Sequence, residues 1–79
     1  MNDLHPNAIS WRCRRGMLEL DLILQPYFER HYATLTPLQQ QQFADLLESP
    51  DPDLYSWLLG FVEPPQEFVE SVQHIRTHR

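Results

Sequence analysis

Proline punctuates this chain, and the residues beside each proline say where helices start and stop. There are seven prolines in 79 residues. Thr36-Pro37 and Asp51-Pro52 each place a side-chain oxygen just before a proline. That order suits an N-cap followed by the first helical position, where proline's missing N–H is not needed and its φ is already helical. Gln39, three residues after Thr36, completes a capping box. Glu63-Pro64-Pro65 blocks a helix arriving from upstream and opens the last one, and Gly60 suits the C-terminus of the helix before it. Between these marks apolar residues recur at three- and four-residue intervals, with no period-two alternation. The chain reads as all-α: a single domain over 1–79, a small five-helix bundle with a frayed N-terminus at about 1–6.

The first helix is expected over Ala8 to Arg15, capped by Asn7, stopped by Gly16 and anchored by Ile9 and Trp11. The second runs from about Met17 to about Tyr32. Met17, Leu20, Leu24, Tyr27 and Phe28 form its stripe, and Leu18, Leu22 and Ile23 widen it. So broad an apolar surface marks either the central helix or a contact helix. Pro26 lies inside it and leaves the Leu22 carbonyl without its donor, a cost of about 3 kcal/mol in a helix interior, so a kink or break is expected there. Leu38, Phe43, Leu46 and Leu47 face inward from the third helix. Asp51 caps the fourth, which contributes Leu54, Trp57 and Leu58. The fifth contributes Phe68, Val69, Val72 and Ile75.

Charge narrows the function. The formal net charge is -5, and the chain has no lysine; its six cations are Arg12, Arg14, Arg15, Arg30, Arg76 and Arg79. An acidic balance without a basic stripe argues against nucleic-acid binding. No apolar run approaches a membrane span. One cysteine allows no internal disulfide, and the N-terminus lacks a signal or transit pattern, so a cytoplasmic protein, monomeric when free, is expected.

Specific polar chemistry is densest at Arg14-Arg15-Gly16-Met17-Leu18-Glu19-Leu20-Asp21. Glycine takes φ > 0 freely and lets another chain approach its backbone. Arginines precede it and carboxylates follow, available to each other or to a partner. Enzymatic readings are weaker. Cys13 has arginines nearby but no histidine base, and reads as a small buried hydrophobe. Glu19 and Asp21, two apart on a helix, point in different directions. His74 and His78 share a helix face but are only two ligands, so no metal site is expected. No glycine loop exists to cradle a phosphate.

The run Trp11-Arg12-Cys13-Arg14-Arg15-Gly16-Met17-Leu18-Glu19-Leu20-Asp21 resembles the signature of the succinate dehydrogenase assembly factor family, the SdhE proteins of bacteria. Asp51-Pro52-Asp53-Leu54-Tyr55-Ser56-Trp57-Leu58 resembles the family's second marker, and the resemblance covers nearly the whole chain. It implies a five-helix bundle, not an enzyme, that assists covalent FAD attachment to the flavoprotein subunit of succinate dehydrogenase or fumarate reductase. The flavin would belong to that client. Carried onto this chain, Arg15, Gly16 and Glu19 would be critical contacts flanked by Arg14, Met17 and Asp21. A module of another class, an antitoxin-type regulatory binder, would share the small acidic helical character.

Overall fold

The structure is a computed structural model and describes residues 4–78. Five helices follow one another: α1 (Pro6–Arg12), α2 (Leu18–His31), α3 (Pro37–Leu46), α4 (Asp51–Leu58) and α5 (Val69–Thr77). Single 3₁₀ turns, Tyr32–Thr34 and Gln66–Phe68, follow α2 and precede α5. Helix α2 packs against α4 and α5, and α5 also touches α3 and α4.

Every helix gives residues to one core. Ile9 comes from α1; Leu20, Ile23, Leu24 and Tyr27 from α2; Phe43 and Leu46 from α3; Leu54, Trp57 and Leu58 from α4; Val72 and Ile75 from α5. Tyr27 sits where three elements meet, with ring centroids 5.4 Å from Phe43 and 5.6 Å from His74. Among the described residues no buried side-chain nitrogen or oxygen lacks a hydrogen-bond partner.

Two helix ends follow the sequence closely. Thr36 and Gln39 form both bonds of the capping box: Gln39 N–H donates to Thr36 Oγ1 at 3.1 Å, and Thr36 N–H donates to Gln39 Oε1 at 2.9 Å. Helix α4 ends in a Schellman motif. Phe61 N–H donates to the Ser56 carbonyl at 2.8 Å and Gly60 N–H to the Trp57 carbonyl at 3.3 Å, with Gly60 at φ +82°.

Other expectations are corrected. Helix α1 begins at Pro6, not Ala8, because His5 supplies the cap: its Nδ1 accepts the Asn7 N–H at 3.1 Å. The expected frayed segment, about 1–6, includes residues that the structure orders. Residues 1–3 lie outside the described residues, but Leu4 packs on the core and its carbonyl accepts the Tyr32 hydroxyl at 2.6 Å. Trp11 is no anchor, being 72 % exposed. Ile9 and Cys13, four apart, fill the buried stripe of α1, and position 11 lies on the opposite side of a 3.6-residue helix. The same rotation leaves Leu18 and Leu22 on the outside of α2, and Leu38 is exposed on α3. Helix α2 continues unbroken through Pro26 to His31. Asp51 does not cap α4; Pro50 occupies that position and Asp51 is the first helical residue.

Candidate functional site

The turn from α1 into α2 is built from both ends. Cys13 closes α1, its N–H shared between the Ile9 and Ser10 carbonyls at 3.1 and 3.2 Å. The Arg14 N–H returns to the Trp11 carbonyl at 3.1 Å. Gly16 then takes φ +80°, and Met17 is extended as the N-terminal flank of α2. An L-residue pays roughly 1–2 kcal/mol in left-handed backbone, which explains glycine here. Gly16 is exposed, and a β-carbon built on it would meet nothing within 4 Å. Its backbone is open to an approaching surface.

Arg15 braces the turn from beneath. Its Nε donates to Asp51 Oδ1 at 2.8 Å, closing an ion pair. Nη1 donates to the Leu47 carbonyl at 2.6 Å and the Arg12 carbonyl at 3.2 Å, and Nη2 donates to the Ser49 carbonyl at 2.7 Å. Four of the guanidinium's five donors are thus used, which only arginine's planar fork can do. The carbonyls of Arg12 and Leu47 lie at the C-terminal ends of α1 and α3, where the helix dipole favours a cation. The side chain is only 15 % exposed, so these interactions are less screened than a surface pair. Asp21, in the first turn of α2, completes the brace: its Oδ1 accepts the Arg15 backbone N–H at 2.8 Å.

The predicted residues therefore separate by role. Arg14, Gly16 and Glu19 face solvent, and Met17 is half-buried against the core. The Arg15 guanidinium and one carboxylate oxygen of Asp21 are occupied inside the molecule. Arg15 pairs with Asp51, 36 residues on, and not with Glu19, because its side chain turns down toward the end of α3. Sequence reading missed the apolar groups around the turn. The Arg14 guanidinium carbon stands 5.3 Å from the Trp11 ring centroid, a cation–π contact. Leu18 and Leu22, 68 and 66 % exposed and four apart on α2, extend an apolar edge beside Glu19. Their place in a broad apolar stripe was the available signal.

Elsewhere the chemistry is muted. Cys13 is fully buried, and burial pushes its thiol up to about 12, with Arg15 opposing weakly and Asp21 adding to the rise. It is no thiolate at neutral pH. Three histidines gather beside Tyr27: His74 and His78 rings stack at 4.0 Å, and His31 lies edge-on to both at 6.0 and 5.3 Å. Tyr27, whose burial pushes its hydroxyl up to about 12, shares a hydrogen bond with His74 Nδ1 at 2.7 Å. Among the described residues no group of three or more His, Cys, Asp or Glu is arranged to hold a metal ion. A groove of about 800 Å³ runs between α3 and α5 past Tyr27, Phe43, Gln42 and His74, and none of Arg14 to Asp21 lines it. No helix among the described residues is long and apolar enough to cross a membrane.

Fold and turn together define a class: a small all-α protein whose distinctive surface is an open glycine turn, braced from below by half-buried polar contacts. Within that class the chain belongs to the family described as "Flavinator of succinate dehydrogenase" (Sdh5), whose model matches residues 7–79. Relatives bear the name "FAD assembly factor SdhE". One from Legionella pneumophila is 45 % identical over 76 residues, covering 96 % of each chain. One from Coxiella burnetii is 45 % identical over 78 residues, covering 96 % of this chain and 95 % of its own. The solution structure of a UPF0350 protein superposes with a TM-score of 0.74 at 41 % identity, covering 99 % of this chain and 85 % of that one.

Proposed function

We propose that this protein binds the flavoprotein subunit of succinate dehydrogenase in the cytoplasm and promotes covalent attachment of FAD to it, without performing redox chemistry itself. The observation that carries the reading is the exposed, positive-φ Gly16 on a turn hydrogen-bonded through Arg15 and Asp21, in a chain of the flavinator family. Arg14, Gly16, Met17 and Glu19 form the contact surface. Trp11, Leu18 and Leu22 add the apolar area that the charged residues alone would lack. Arg15 and Asp21 set the shape of that surface from within. The flavin stays with the client, whose own groups make the bond. This protein contributes positioning, which supplies several kcal/mol when reactive groups are held in near-attack geometry. Fumarate reductase flavoprotein, sharing the same cofactor chemistry, is a second client.

Gly16 gives the sharpest test. In a strain lacking the gene, wild-type protein should restore flavin fluorescence in the denatured flavoprotein band, and Gly16→Arg should not. The variant should keep its helical circular dichroism but melt at a lower temperature, since the space beside Gly16 is open while its left-handed backbone strains any side chain. Full flavin incorporation with Gly16→Arg would remove the turn from the contact surface.

A further inference from the structure

The two sequence markers, 30 residues apart at their nearest charged members, meet at one ion pair. Asp51 opens α4 and stands at the first helical position, where a carboxylate suits the positive end of the helix dipole. Its Oδ1 also accepts from Arg15 Nε at 2.8 Å. The three carbonyls that share the guanidinium are main-chain groups supplied by Arg12, Leu47 and Ser49. Among the described residues Asp51 is thus the one side chain that pairs with the Arg15 guanidinium, and the one acceptor there that a point substitution can delete. Asp21 meanwhile holds the main-chain N–H of the same residue. Arg15 is fixed through its backbone by α2 and through its side chain by α4, and Gly16 follows it directly.

We propose that Asp51 is a positioning residue for the docking surface: acting through Arg15, it holds the Arg14–Glu19 turn in the conformation that the partner protein engages. This rests on the docking role assigned above and extends it to a residue 35 positions beyond Gly16. Deleting the carboxylate leaves a half-buried guanidinium with carbonyl partners but no counter-charge, so the side chain loosens toward solvent. The turn then samples other shapes, and the partner must select the competent one, which weakens apparent affinity by the fraction lost.

The test uses the full chain with Asp51→Ala, Asp51→Asn and, as control, Glu48→Ala. Glu48 pairs with Arg12 at 3.7 Å on the same side of the molecule but does not touch Arg15. Backbone order parameters are measured by ¹⁵N relaxation on the free protein. Affinity is measured against the isolated succinate dehydrogenase flavoprotein. In Asp51→Ala the order parameters of Gly16 and Met17 should fall from about 0.85 toward about 0.6, while those of α5 hold. The Arg15 Nε resonance should shift and affinity should drop about tenfold. Asp51→Asn keeps an oxygen acceptor without the charge and should fall between Ala and wild type; Glu48→Ala should match wild type. An Asp51→Ala protein with an unmoved turn, or with a loosened turn and undiminished affinity, overturns the proposal. Failure of the wild-type chain to bind the flavoprotein would instead overturn the docking role, while the relaxation data would still decide whether Asp51 orders the turn.

Discussion

The two glycines of this chain adopt nearly the same backbone, φ +80° and +82°, in opposite surroundings. Around Gly16 there is open space; at Gly60 a new β-carbon would stand 3.0 Å from Arg76 Nη2, a flexible end that can swing away. Alanine at either position should therefore cost about 1–2 kcal/mol of backbone strain. Thermal midpoints should fall by roughly 5–15 °C in a domain of this size. Only Gly16→Ala should also weaken capture of the flavoprotein, so melting and capture together separate strain from docking. Arg15→Lys should destabilise by about 2 kcal/mol, because a single ammonium cannot serve acceptors at the ends of two helices and a carboxylate at once. Chemical denaturation would measure it; a loss below about 0.5 kcal/mol would mean the brace contributes little. Arg15, Gly16 and Asp21 stood out in the sequence by type and spacing, and the structure brings them together at one turn. Their division of labour was not legible there. The Arg15–Asp51 pair spans 36 residues, and no local pattern encodes a contact that exists only after α3 has been laid down.

At the scale of elements, the Thr36-Pro37 signal located its helix start, whereas the caps expected at Asn7 and Asp51 fall to His5 and Pro50. Thr36 forms both bonds of its box, and Thr36→Ala should cost about 1 kcal/mol, visible as a lower denaturation midpoint with an unchanged slope. Trp11 shows the opposite case. Its bulk suggested an anchor, but a seven-residue helix has one narrow inward stripe, already filled by Ile9 and Cys13. Helix α2 is the structural centre. Leu24, fully buried at its middle, faces the helices that close over it, and Leu24→Ala should cost about 2–5 kcal/mol. Small domains have little stability in reserve, so that variant should be largely unfolded at 37 °C by circular dichroism. The persistence of α2 through Pro26 has the same origin: packing of Ile23, Leu24 and Tyr27 on both sides of the proline outweighs one missing hydrogen bond.

At the scale of the whole molecule, one acid-sensitive place is the junction of α2 with α5, where His74 lies. His74 titrates below its ordinary value because burial disfavours its charged form and the neighbouring His78 and His31 repel a proton. An unfolded chain takes up that proton first as pH drops below about 6.5, so stability held at neutral pH is progressively lost on acidification. Melting temperature should fall between pH 7 and pH 5. His74→Gln, which cannot titrate, should flatten that part of the profile, and an unchanged slope would assign the loss to other groups. The turn at Gly16 lies outside this cluster and should keep its local order until the bundle itself opens.

Sealed in the interior, the lone thiol of Cys13 makes the molecule its own stopwatch. A thiol-specific alkylating reagent has no thiol to attack while the bundle is shut, so each molecule modified at Cys13 marks one that has opened. The pace of labelling, followed by mass, would report how often that happens under native conditions. A client that grips the closed form would show itself as a slower clock.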